Sequence, residues 1–183
     1  SMNSFNLVGY TYEEIDLNIG ISGCLNNIGA AESGRKNFDL AGEYYAKALK
    51  IYEEINSLSG IAITNKNIGI IAKARNAVDE EIVYYEKAIK IRQKINENVR
   101  LSADYTALAK AYLKKGRTTE ASDLFAQAVN NTVNLLKENF VVLSESEKEM
   151  FLEVTKNVFN EYKVFVLSNG KPSDQTTGIC YNN

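Results

Sequence analysis

Apolar residues recur at three- and four-residue spacing along most of the chain, and the whole pattern returns after forty residues. Ile28, Ile68 and Leu108 mark one series, Tyr45, Tyr85 and Phe125 a second, and Ala48, Ala88 and Ala128 a third. Apolar positions three and four apart line one face of an α-helix, so the pattern predicts amphipathic helices. Three such series in one register predict a repeat array, in which no unit buries its apolar face alone and the stacked units present an extended concave surface.

Each unit divides into two helices. The first unit is expected to run a first helix over about Ser22 to Arg35, burying Leu25, Ile28 and Gly29. Its second helix, over about Phe38 to Ile55, buries Ala41, Tyr45, Ala48, Leu49, Ile51 and Tyr52. The second unit repeats this with Ile61, Ile68, Gly69 and Ala72, then Val78, Tyr85, Ala88, Ile89 and Ile91. The third uses Tyr105, Leu108, Ala109 and Tyr112, then Ala121, Phe125, Ala128 and Val129, its second helix continuing to about Glu138. Gly29, Gly69 and Ala109 share one position, where a small residue lets the paired helix approach and an aromatic fills the space beyond. A glycine inside a helix costs roughly 1 kcal/mol against alanine, so its use twice at one position calls for such a packing reason.

The tetrapeptide Tyr12-Glu13-Glu14-Ile15 returns as Tyr52-Glu53-Glu54-Ile55, which places the N-terminal stretch in register with a second helix. The expectation is a half repeat over 3–21 and a chain that begins partway through a unit, with Phe5, Val8 and Tyr12 left uncovered. Full repeats are then assigned to 22–60, 61–98 and 99–138. The Ser-x-x-Glu form of Ser144 to Glu147 predicts a helix start, and Asn169-Gly170 a stop. The helix between, assigned to 144–168, carries Phe151, Val154, Val158, Phe159, Tyr162, Phe165 and Val166 and is expected to cap the array. Residues 169–183 read as a polar tail.

Composition narrows the function more than the fold. The 183 residues are 45% hydrophobic and 24% charged, with a net charge of −2 and an isoelectric point near 5.4. Such a balance lacks the clustered basic face of a nucleic-acid binder. The sequence shows no membrane-length apolar run and no signal-peptide pattern, which points to a cytoplasmic chain with no membrane contact. With no histidine at all, Ser-His and Cys-His pairs are excluded within the chain. The glycines do not form a phosphate-binding loop. Glu13-Glu14, Glu53-Glu54 and Glu80-Glu81 read as solvated helix faces, Cys24 as a helix-packing residue and Cys180 as a tail thiol. No cofactor, metal or catalytic activity is expected.

The third unit carries a recognisable set: Leu108-Ala109, Tyr112, Gly116, Ala121, Phe125 and Ala128. This set resembles the tetratricopeptide repeat. The first unit matches through Leu25, Ile28-Gly29, Ala41, Tyr45 and Ala48 but has Glu32 in a slot that is usually aromatic or large and apolar. The second matches through Ile68-Gly69, Tyr85 and Ala88 but has Asn65 and Glu81 in apolar and small slots. The forty-residue spacing resembles the longer variety found in kinesin light chains and bacterial peptide-sensing regulators. The resemblance implies an all-α, right-handed solenoid of about three and a half helix-turn-helix repeats with a long C-terminal capping helix. The segment with Glu138-Asn139-Phe140, Leu143-Ser144-Glu145, Glu147-Lys148 and Phe151 is similar to the helical linker of bacterial CHAT-type peptidases.

In that family the groove is lined by the first helices. Carried over, it comprises Asn26, Asn27, Ala30 and Ser33, then Ile63, Lys66, Asn67, Ile70 and Lys73, then Thr106, Lys110 and Lys114. Asparagine amides both donate to and accept from an extended peptide backbone. The lysines favour an acidic or carboxylate-bearing partner through approach and selection. The lysine and arginine pattern of a chaperone-tail clamp is not met, since Ala103 and Ala107 stand at its basic positions. The expected function is protein or peptide binding in this groove, as an interaction module or as the regulatory region of a CHAT-type peptidase. The alternatives are a peptide-responsive signalling regulator coupled to an output domain, and a structural scaffold or adaptor that self-associates through its N-terminal half repeat.

Overall fold

The computed structural model describes residues 11–139 and 145–169. Seven helices follow one another in order: α1 (Tyr12–Gly34), α2 (Phe38–Glu54), α3 (Leu58–Ala74), α4 (Val78–Lys94), α5 (Asn98–Lys114), α6 (Thr118–Asn139) and α7 (Glu145–Asn169). The chain divides into two compact units that meet in sequence at Asn96 and Glu97. The all-α architecture expected from the periodicity is the one the chain adopts.

The punctuation between helices has a period of its own. Lys36, Asn56, Asn76, Asn96 and Gly116 all take a left-handed backbone conformation, with φ between 53° and 72°, and lie twenty residues apart. Around four of them the backbone closes the same two bonds. At the first, the Asn37 amide donates to the Glu32 carbonyl at 2.9 Å and the Lys36 amide to the Ser33 carbonyl at 3.0 Å. This is the Schellman ending, which satisfies the last carbonyls of a helix and turns the chain. Asparagine and glycine enter the left-handed region at low cost, which accounts for four of the five residues. Lys36 occupies it against its intrinsic preference.

In the first unit, α1 pairs with α2 and α3 with α4, while α3 also lies against α2 and α1. Ala41, Tyr45 and Ile71 form one buried cluster under Phe38 and Ile68, and Ala48, Tyr52 and Ile55 a second beside Leu25 and Ile61. The small-against-aromatic expectation holds in detail. A Cβ added to Gly29 would stand 2.7 Å from the Tyr45 ring, and one on Gly69 2.9 Å from the Tyr85 ring. The periodicity missed the tightest contact of this kind, at Gly60, where an added Cβ would lie 2.2 Å from Tyr52. The paired signal was present in sequence as Tyr12 with Gly20 and Tyr52 with Gly60.

In the second unit, α5 pairs with α6, and α7 packs on α6 and touches α5. Val158, Tyr162 and Phe165 are buried, and the Phe165 and Phe125 rings stand 5.0 Å apart. A polar seam joins α5 to α6: Asn131 Nδ2 donates to Ser102 Oγ at 2.8 Å, and Thr132 Oγ1 lies 2.8 Å from the same oxygen. Ser144, assigned as the cap of α7, lies outside the described residues, as do 3–10 of the half repeat and the tail from 170 onward.

Several sequence expectations are corrected. Residues 12–21 do not form a separate second helix but run without a break into α1, which starts at Tyr12 and not near Ser22. Thr11 and Glu14 build a reciprocal capping box there, which also holds the Glu14 carboxyl below its ordinary range through the Thr11 backbone amide. Asp16 then occupies the position where Asn56 and Asn96 break the chain, and helix propagation gains a hydrogen bond per residue with no left-handed residue to stop it. Similarly, α3 begins at Leu58 and not at 61, because the turn is set by Asn56. Ile28 is 42% exposed and not part of the core, and Cys24 is exposed too. Glu81, expected on a solvated face, is fully buried, as Arg92 is in the same unit.

Candidate interaction surface

The first helices carry the residues assigned to the groove, and in the first unit two of those helices run side by side. Thr64 Oγ1 on α3 lies 3.3 Å from Asn26 Oδ1 on α1, and Asn67 Nδ2 donates to the same oxygen at 3.2 Å. Thr64 Oγ1 also lies 2.9 Å from the Gly60 carbonyl. Asn26 is 7% exposed and its carbonyl is committed to α3. It is therefore a seam residue between first helices and not an open groove residue, because the 3.6-residue turn rotates it toward α3 while its neighbour Asn27 stays exposed.

The remaining assigned residues of the first unit share this face in varying degree. Asn27, Ala30, Ile70 and Lys73 are exposed; Ser33, Ile63, Lys66 and Asn67 are half-buried. Ile70, 41% exposed, is an apolar residue among them, and Lys73 stands one turn further along α3. The hydrogen bond from Asn67 to Asn26 uses one of its two amide protons, so the amide keeps capacity to donate and accept.

In the second unit, Thr106 and Lys110 are half-buried and Lys114 exposed. Thr106 donates to the Ser102 carbonyl at 2.8 Å, a bond within its own helix. Lys110 is ion-paired to Glu161 of α7. Sequence periodicity gave no sign of that pair, since it joins residues fifty-one positions apart. A lysine so held presents less free charge to a partner than a solvated one.

Charged side chains also tie the turns between paired helices. Glu32, in the slot that is usually aromatic, accepts from Arg35 Nη1 at 2.6 Å and from Asn37 Nδ2 at 2.7 Å. Those bonds, the one from Asn37 foremost, hold its carboxyl below the ordinary glutamate range. The residue thus ties down the α1–α2 turn. Arg117 stacks 3.8 Å over the Tyr112 ring and donates to Glu120 at 2.6 Å, which lowers the carboxyl of Glu120 and raises the guanidinium. Among the described residues, no group of three or more His, Cys, Asp or Glu is placed to hold a metal ion. No helix there is long and apolar enough to cross a membrane.

Comparison with protein-family models matches residues 22–94 and 105–131 to the tetratricopeptide repeat. Neither the curated proteins nor the solved structures contain a match to the chain. The two matched stretches cover more than half of the sequence and fall on the helix pairs α1–α2, α3–α4 and α5–α6 described above. The chain belongs to the tetratricopeptide repeat family.

Proposed function

We propose that this chain is a protein-interaction module that holds a peptide or partner segment along the exposed face of its first helices. The observation that carries this reading is the α1–α3 face, where Asn27, Ala30, Ile70 and Lys73 stand exposed on a base locked by the Asn26–Thr64–Asn67 hydrogen bonds. A rigid base lowers the ordering cost of binding. Amides supply backbone-like donors and acceptors, Ile70 an apolar contact and Lys73 a preference for acidic or carboxylate-bearing partners. Peptides selected from a random display library on the intact protein test this. Ile70→Asp with Lys73→Glu is expected to weaken them at least about tenfold, roughly 1.4 kcal/mol, with the helical circular dichroism unchanged. Selected peptides that bind this variant as well as they bind the native protein would remove the assignment.

A narrower version, the regulatory region of a bacterial CHAT-type peptidase, is supported by the sequence resemblance around Glu138 to Phe151. A second reading, self-association through α1, is favoured by a specific observation. Tyr12 and Leu17 are 60% and 64% exposed, Ile19 and Ile21 are exposed beside them, and a Cβ on Gly20 would meet nothing within 4 Å. The matching glycine, Gly60, is covered by Tyr52 of a second helix, so α1 presents the surface that elsewhere in this chain receives a helix. Ile19→Asp with Ile21→Asp is expected to convert a concentration-dependent dimer to monomer in sedimentation. A native protein that stays monomeric throughout would dispose of this reading.

A further inference from the structure

Away from the first-helix face, the first unit contains a cleft of about 320 Å³ between α2, α3 and α4. One of its lining residues departs from the other repeats. Asn65 occupies the position that is Leu25 in the first repeat and Tyr105 in the third, so a short amide stands where the other repeats place a larger side chain. Asn65 is 4% exposed yet lines the cleft. Its Nδ2 donates to the Ile61 carbonyl at 2.8 Å, a bond in which Oδ1 takes no part. Its Oδ1 is not among the buried side-chain atoms left without a partner, so the amide carries no penalty for an unpaired buried atom and offers an acceptor at the cleft.

The rest of the lining is divided by chemistry. Leu49 of α2, Ile61 of α3 and Ile91 of α4 give an aliphatic wall. Lys87 and Lys90 come from α4, and Lys87 Nζ sits 4.9 Å over the ring of Tyr84, which also lines the cleft. Glu53 of α2 brings the opposite charge. Both signs, a buried amide and an aliphatic wall together complement a small molecule that itself carries an ammonium, a carboxylate and a branched apolar side chain. The volume lies at the small end of the range for ligand sites, which fits a single residue-sized ligand better than a folded partner.

We propose that this cleft binds a free aliphatic amino acid. Its carboxylate lies toward Lys87 and Lys90, its ammonium toward Glu53, its side chain against Leu49, Ile61 and Ile91, and Asn65 Oδ1 accepts from the ligand. This site shares no residue with the first-helix face and is independent of the function proposed there.

The test is a titration of the isotope-labelled protein followed by amide NMR, using L-leucine, N-acetyl-leucine and leucinamide as probes. L-leucine is expected to give saturable shifts at the Asn65 side-chain amide and at Ile61, Lys87 and Lys90. Each blocked analogue, lacking one charge, should bind at least tenfold more weakly. Asn65→Leu, which copies the first repeat and so keeps a tolerated core residue, should abolish the shifts; Lys87→Ala with Lys90→Ala, at exposed positions, should weaken them at least tenfold. No saturation up to about 10 mM, the weak limit of useful affinity, overturns the proposal. So does equal binding of N-acetyl-leucine, which would make the cleft a simple anion site, and so does unchanged binding by Asn65→Leu.

Discussion

Single residues in this chain are chosen against their generic preferences where a neighbour demands it. Gly60 is intrinsically poor in a helix, but any side chain there would collide with the Tyr52 ring. Gly60→Ala is expected to destabilise the protein by about 1–3 kcal/mol despite its better helix propensity, because the buried ring has to move; urea unfolding measures the sign directly. Glu32 shows the electrostatic counterpart. Its folded carboxyl is held below the unfolded value by Asn37 and Arg35, so the stabilisation it contributes is fully present above the unfolded value, about 4.3, and is lost as pH falls through the folded one. Native protein should therefore unfold at higher urea than Glu32→Gln at about pH 7, with the gap narrowing as pH falls below the ordinary glutamate range. A gap that persists in acid would assign the effect to packing.

Helices here begin and end by different rules. Endings are local: of five left-handed residues spaced twenty apart, four close a Schellman turn that satisfies the last carbonyls of the helix. Beginnings depend more on what precedes them, as α1 shows by running through Asp16 to reach back to its Thr11 cap. Apolar contact and the Lys110–Glu161 ion pair both help to hold α7. Phe165 sits 5.0 Å from Phe125, and Lys110 reaches Glu161. Phe165→Ala should cost about 3 kcal/mol or more by leaving a cavity over Phe125, whereas Glu161→Gln should cost well under 1 kcal/mol, as half-exposed ion pairs do. Thermal unfolding of the two variants distinguishes a helix docked by its apolar stripe from one docked by charge.

For the molecule as a whole, a repeat chain distributes its stability among neighbouring units and not through one central core. Opening free energies are then expected to differ along the chain. In native-state hydrogen exchange, Phe165→Ala should raise rates across α5, α6 and α7 while amides of α1 and α2 keep theirs. A uniform rise over all seven helices would instead show one cooperative unit. The family relationship, shown over residues 22–94 and 105–131, supplies the expectation of a binding function, and the exposed faces of the first helices supply the place to look for it.

The sequence by itself determined the all-α plan, the helix pairing within the full repeats and the small-against-aromatic contacts of Gly29 and Gly69, because these follow from local periodicity and from a pattern repeated in register; the separate helix it implied ahead of Ser22 is absorbed into α1. It also held the signal of the turns, in Asn56, Asn76 and Asn96, and of the Tyr52–Gly60 contact. Only tertiary structure decided which polar residues stay available. Asn26 turns into the α1–α3 seam, Lys110 is drawn to Glu161, Glu81 is buried where spacing placed it outside, and Asn65 lines a cleft. The physical reason is common to all four. A helical period fixes which way a side chain points, but whether that direction meets water, an amide or an opposite charge depends on residues brought from elsewhere in the fold.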